Sequence, residues 1–298
     1  MNQSKAIYFH ASSVGTLLVG GSPLWTGNDT TTMEELNARE AGTFKTAANR
    51  KGDYTDKMKA SHAALREKRK RYDEILGAGG TAFELGQTAK SYVEDVWRLL
   101  NMGFRRPVIT KEILKGIKME QDAIDLISQV YPVDGFRMIN KQNFKDDYFI
   151  GRPDVLIDKF DFLEDVKVVW DKQIFMKIDS WDPLYEAQAQ VYMHLTNRQR
   201  FFLHYCLLTT PPELVKREQR NHYWTLVSDG EDDNDDYRKV CEQIEKNHNC
   251  EDLEPAECVK SFAFTYDPEY IANLQFRIDV AREYYSQIKF NAIPRVSI

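Results

Sequence analysis

Cysteine is scarce in this chain: Cys206, Cys241, Cys250 and Cys258 are the only four among 298 residues, and no two form a C-x-x-C pair. That spacing argues against a zinc knuckle or a redox couple and leaves reduced, partly buried thiols as the expectation. Long apolar runs are lacking too. No stretch approaches the roughly 18 apolar residues that cross a bilayer, and the opening MNQSKAIYFHASS has no apolar run suited to secretion. A soluble, cytoplasmic protein with no membrane partner is expected. Excess positive charge is also missing: 40 Lys and Arg face 46 Asp and Glu, a net charge of −6. A general basic coat for nucleic acid is thereby excluded, although local patches remain.

The charge is unevenly placed. Residues 57–71, KMKASHAALREKRKR, carry seven cations against one acid, Glu67, and residues 229–236, DGEDDNDD, carry six acids and no base. The acidic run has the composition of a solvated loop. The basic run, with Lys68 and Arg69 in it, divides evenly between a solvated helix face and a patch that tracks a phosphate backbone. His10, His62, His194, His204, His222 and His248 show no ligand spacing and are expected to be structural.

With 42% hydrophobic and 12% aromatic residues the chain can bury one large core without staples. HASSVGTLLVGGSP has the pattern of a serine-capped helix closed by glycine and proline, with Ser12 and Ser13 as caps. A helix start also binds phosphate through its free N–H groups. Residues 33–102 are polar and helical in pattern, divided by GAGG at 77–80. Lys111 to Tyr131 sets Ile113, Ile117, Ala123, Ile124, Ile127 and Val130 at helical spacing, predicting one inward face. FRMIN, DYFIG, PDVLID, FLEDVKVVW and RFFLHYCLLTT then follow as short strands expected to share one sheet. LYEAQAQVYMHLT between them and a segment from Pro268 to about Lys289 are further helices. The predicted class is mixed α/β, a sheet covered by helices.

The chemistry-bearing segment is PDVLIDKFDFLEDVKVVW, two strands joined by a turn around residues 159–161. Alternation along the second strand turns Asp165 and Lys167 to one face and Glu164 and Val166 to the other. Asp154 starts the first strand. Two aspartates and a backbone carbonyl, that of Val166, suit an octahedral magnesium ion that keeps several waters. Lys167 beside them would orient a water and offset charge on a phosphate, the requirements of phosphodiester hydrolysis. An exposed edge-strand ion pair is the bland alternative. Against it, Asp165-Val166-Lys167 is the only Asp/Glu-x-Lys triplet in the chain and sits inside an apolar run, where purposeless charge is costly. Gln188 and Tyr192, four apart, share a helical face and can meet.

In order along the chain, HASSVGTLLVG, KGIKMEQDAIDLI, GRPDVLI, LEDVKVV and YEAQAQVYMHLT resemble blocks of the PD-(D/E)xK nucleases, and within them the phage lambda-type exonucleases. The resemblance implies a restriction-endonuclease-like mixed β-sheet core flanked by helices, with an inserted helical layer. The whole chain would be one domain: a core at about 1–30 and 108–227, a helical insertion at about 31–107, and a C-terminal helical extension at about 237–298. It implies that Glu120 joins Asp154, Asp165 and the Val166 carbonyl as metal ligands, with Lys167 and Gln188 also catalytic. Ser12, Ser13, Arg152, Gln190, Tyr192, Lys68 and Arg69 are its DNA-contact candidates, and Thr196 falls at a recurring threonine.

The implied function is a magnesium-dependent exonuclease, with manganese as substitute, cutting linear duplex DNA from 5′ to 3′ for phage-type recombination. The host cytoplasm, a ring-like trimer and a single-strand annealing protein as partner belong to the same expectation. Relatives with an iron–sulfur cluster use closely spaced cysteines, so no cluster is expected here. Two departures stand out: the long basic insertion, and the absence of an arginine soon after the opening Ala-Ser helix. The alternatives are a RecB-like or CRISPR-associated single-strand nuclease and a non-catalytic DNA-binding scaffold of the same fold.

Overall fold

Polar side chains fix most of the helix starts. Thr26 accepts a hydrogen bond from the Asp29 N–H in a reciprocal capping box, Thr55 accepts from Met58, Thr110 from Ile113, Asp171 from Ile174, Asp182 from Leu184 and Asn234 from Tyr237. Each satisfies a first-turn donor and contributes on the order of 1 kcal/mol. The computed structural model describes residues 7–44, 54–157, 159–227 and 234–288. Their order is β1 (Phe9–His10), α1 (Ala11–Val14), β2 (Ser22–Pro23), α2 (Gly27–Glu40), α3 (Asp56–Gly77), β3 (Phe83–Glu84), α4 (Gln87–Met102) and α5 (Lys111–Val130). Next come β4 (Phe144–Lys145), β5 (Phe149–Gly151), β6 (Val155–Leu156), β7 (Phe162–Val169), α6 (Lys172–Met176), α7 (Pro183–Thr196) and β8 (Arg200–Leu207). The last are α8 (Pro212–Leu226), α9 (Asp235–His248), β9 (Val259–Thr265) and α10 (Pro268–Gln287).

The chain divides into two compact units, Met1–Gly15 with Arg105–Leu274, and Thr16–Phe104 with Gln275–Ile298. The first is mixed α/β. Its main sheet runs β6-β7-β8-β9, antiparallel, parallel and antiparallel in turn, and a smaller sheet runs β1-β5-β4. The expected single sheet is therefore two. FRMIN contributes only an isolated bridge, Ile139 to Val155, and Pro153 lies just before β6, where it need not donate to a ladder. Strand β9, in a stretch expected to be helical, extends the main sheet: seven residues pair with β8.

Helix α5 packs on β7. Ala123, Ile124 and Ile127 are buried as expected, but Ile113 and Ile117 are exposed, and the side chain buried in that first half is Lys115. Its ammonium donates to the carbonyls of Val169, Trp170 and Leu208 at 2.8, 2.8 and 2.7 Å, tying the ends of β7 and β8 together. Burial lowers its pKa to about 8. Asn197, just past Thr196, caps α7 in the left-handed region, at φ 54°.

The second unit is the polar helical layer. Lys68 on α3 donates to both carboxylate oxygens of Asp29 on α2 at 2.9 Å. The Glu283 carboxylate accepts from the Thr81 hydroxyl and N–H, and the Arg277 guanidinium stacks 4.2 Å from the Phe83 ring. Strands β2 and β3 pair antiparallel. No helix among the described residues is long and apolar enough to cross a membrane.

Candidate active site

The main sheet sets two acids from neighbouring antiparallel strands against each other. Val155 pairs with Glu164 and Leu156 with Leu163, so the antiparallel register, continued by one residue, sets Asp154 across from Asp165. The Asp154 carboxylate accepts a hydrogen bond from the Val166 N–H at 3.1 Å. Lys167, two residues beyond Asp165 on the same face, is in ion-pair contact with its Oδ2. The strand alternation read from LEDVKVV holds: Glu164 faces the other way, where Arg137 donates to both its oxygens at 2.6 and 2.9 Å.

A glycine allows this arrangement. A Cβ on Gly151 would stand 2.7 Å from the Tyr192 ring and 2.8 Å from the Ala11 Cβ, so only glycine lets the GRPD segment pass beneath α7 and α1. Gly15 plays a similar part, since a Cβ there would meet Ala187 at 2.9 Å.

Electrostatically the cluster is frustrated. Asp165 is 1% exposed, and neither of its oxygens has a hydrogen-bond donor aligned on it, although Lys167 lies in ion-pair contact. Burial raises the Asp154 carboxyl well above the usual aspartate range, and the neighbouring Asp165 pushes it further up. Burial alone would lower the Lys167 ammonium, but Asp165 and Asp154 outweigh it and raise its pKa above the ordinary lysine value. Its acidic neighbours therefore favour the charged form of Lys167. The Tyr192 hydroxyl is also raised, by burial first and Asp165 second, and accepts from the Gln188 amide at 2.9 Å. The predicted pair on α7 thus meets, within the field of the acids.

A buried and a half-buried carboxyl that share one lysine are hard oxygen ligands suited to a divalent cation. No three His, Cys, Asp or Glu side chains among the described residues form a metal cluster. A cation at Asp154 and Asp165 would also draw on a backbone oxygen and water. Glu120 is half-buried on α5, three and four residues before the buried Ala123 and Ile124, on the helix's inner side.

The other candidates fall in different places. Ser12 is exposed and Ser13 half-buried, both inside the first turn of a four-residue helix whose N-cap is His10, so neither caps it as expected. Arg152 is exposed beside Pro153-Asp154. Gln190 is buried: its amide donates to the Thr265 carbonyl and accepts from the Asp267 N–H, both at 2.8 Å, fastening the start of α10 to α7. The Thr196 hydroxyl donates to the Tyr192 carbonyl. In the other unit Lys68 is held by Asp29, and Arg69 by Asp73 with its guanidinium 5.3 Å from the Trp25 ring. The acidic run lies largely outside the described residues, Asp235 and Asp236 opening α9.

Three features were not legible in the sequence: Lys115, the Arg137–Glu164 pair, and Tyr185, whose ring centroid lies 4.9 Å from the Lys167 ammonium. For Tyr185 a signal existed, since it precedes Gln188 by three residues on the same helix.

No protein-family model and no curated protein sequence matches the chain. Solved structures do. A phage-related exonuclease from Haemophilus somnus 129PT is similar with a TM-score of 0.58 and 17% identity, covering 96% of this chain and 97% of its own. The alkaline exonuclease LHK-Exo from Laribacter hongkongensis has a TM-score of 0.42 and 12% identity over 67% of this chain and 81% of its own. LHK-Exo in complex with dAMP has a TM-score of 0.44 and 11% identity over the same shares. Nearly complete mutual coverage with the first of these makes the fold of this chain that of a phage-related exonuclease.

Proposed function

We propose that this chain is a magnesium-dependent DNA exonuclease of the PD-(D/E)xK type, hydrolysing phosphodiester bonds of linear duplex DNA from 5′ to 3′. One observation carries the reading: Asp165, buried and without an aligned donor, stands across from Asp154 and against Lys167. The shared fold with a phage-related exonuclease supports it.

Asp154, Asp165 and the Val166 carbonyl would hold the magnesium, with Glu120 as a further ligand from α5 and manganese as a substitute. When bound, the ion acidifies a water and neutralises charge on the phosphate. Lys167, protonated by virtue of its acidic neighbours, orients that water and offsets charge on the phosphate oxygens. Gln188, braced by Tyr192, presents its amide to the water or the backbone of the cut strand. Arg152, Ser12 and Ser13 are offered as contacts to flanking phosphates. Digestion in a ring-like trimer, recombination as the setting and a single-strand annealing protein as partner complete the proposal.

The test is digestion of linear duplex labelled separately at its 5′ and 3′ ends, with covalently closed circles as control, in magnesium. Release of the 5′ label first, with circles intact, is expected. Attack on circles, or equal attack at both ends, overturns the exonuclease polarity, and no cleavage of any DNA overturns the nuclease reading. Light scattering under active conditions tests the trimer.

A further inference from the structure

An aromatic row leads away from Lys167 along the sheet. Its ammonium sits 4.9 Å from the Tyr185 ring centroid; Tyr185 is 6.1 Å from Tyr205, Tyr205 is 5.8 Å from Phe262, and Phe262 is 5.8 Å from Trp181. The register explains the row: Lys167 pairs with Tyr205, and Asp165 with Leu203 and then Phe262, so β7, β8 and β9 present these side chains on one face. Tyr205 is buried and Phe262 and Tyr185 are half-buried, but Trp181 is 38% exposed. The row therefore begins at the charged cluster and ends in an open indole.

The indole is held in place. Its ring N–H donates to the Glu186 carboxylate at 3.2 Å, and the ring packs against Phe264 at 5.1 Å as well as Phe262. The segment before it is pinned by Lys260, which donates to the Ile178 carbonyl at 2.9 Å. A large aromatic face fixed at the surface, at the end of a row that starts from the site proposed for phosphate, offers the two halves that a nucleotide needs, charge for the backbone and a flat apolar surface for the base.

We propose that Trp181, at the far end of this row from Lys167, is a stacking platform for an unpaired nucleobase of the strand whose phosphodiester lies at Asp154, Asp165 and Lys167. This rests on the nuclease reading and adds the form of the substrate. A base inside a duplex is already stacked on both faces, so the platform takes a base at a frayed or single-stranded end. It is sequence-tolerant, because every base offers a π-face.

The experiment measures binding of a single-stranded oligonucleotide in calcium, by anisotropy, to the wild type, Trp181→Phe and Trp181→Ala. An abasic residue is stepped through successive positions of the strand. Trp181→Ala is expected to weaken binding about five- to tenfold and Trp181→Phe far less, in keeping with one lost stack. In the wild type the abasic residue should have the same effect at one position and little elsewhere, and at that position it should not add to the effect of Trp181→Ala. Equal affinity of Trp181→Ala and wild type, multiplying effects, or uniform sensitivity along the strand overturns the platform. The abasic scan on the wild type decides the matter even if Trp181→Ala fails to fold. Platform and nuclease readings separate cleanly: a wild type that cuts DNA in magnesium but shows no positional abasic effect defeats only the platform.

Discussion

Glu164 and Asp165 are consecutive residues of β7, both almost wholly buried, yet the first is fully paired and the second has no aligned donor on either oxygen. Glu164 receives both nitrogens of the Arg137 fork, and despite burial its carboxyl is held below its ordinary value by His204 and Arg137. Asp165 faces another carboxyl and one lysine. One side of the strand is closed by an arginine fork, and on the other two carboxyls share one lysine.

That difference predicts opposite responses to one kind of change. Glu164→Gln, which leaves Arg137 buried and unpaired, should destabilise the protein by about 3–5 kcal/mol. Asp165→Asn, which removes one of two neighbouring carboxyls that share Lys167, should stabilise the metal-free protein by on the order of 1–3 kcal/mol while abolishing cleavage. Chemical denaturation of both variants checks this, and a loss of stability in Asp165→Asn counts against the frustrated site.

Lys167→Ala should lower the cleavage rate on the order of 10²–10³-fold with DNA binding nearly intact, because the lysine acts on the water and the developing charge. Its raised pKa adds a second expectation. The rate should not fall at alkaline pH through loss of the lysine proton below the ordinary lysine value of about 10.4. Near wild-type turnover in Lys167→Ala would remove it from the machinery.

Asp154 links stability to pH. Its folded-state pKa lies above the unfolded one, so the stabilisation tied to its proton is complete below about pH 3.9 and is lost as the pH climbs through the raised value. In metal-free buffer the melting temperature of the wild type should fall relative to Asp154→Asn as the pH is raised from that point. Millimolar magnesium or manganese should offset the fall in the wild type alone. Calcium should bind without supporting fast cleavage, its looser geometry placing the water poorly. Parallel melting curves for the two proteins would speak against the coupling.

Gln188 and Tyr192 provide a finer test. Tyr192→Phe removes the acceptor that orients the Gln188 amide, a bond contributing about 1 kcal/mol, so cleavage should slow about fivefold. Gln188→Ala should slow it at least as much. Single-turnover rates at saturating DNA separate this from weaker binding.

The sequence by itself determined the local part of the site. Alternation in LEDVKVV sets Asp165 and Lys167 on one face, spacing in EAQAQVY sets Gln188 beneath Tyr192, and threonine and aspartate caps start the helices; each depends on residues within a turn or a pleat of one another. Only the tertiary structure decided which distant groups meet. A glycine at 151 lets Tyr192 pack against the GRPD segment, and β9 joins the sheet to line up Phe262 with Asp165. The same holds for Lys115, which has the pattern of a solvent-facing lysine yet is buried because three carbonyls at the ends of two strands await it. Lys68 likewise takes its partner, Asp29, from another helix, whereas Arg69 pairs with Asp73 one turn along its own. Periodicity fixes which face a side chain takes on its own element, but its partner comes from another element, and long-range packing selects that partner.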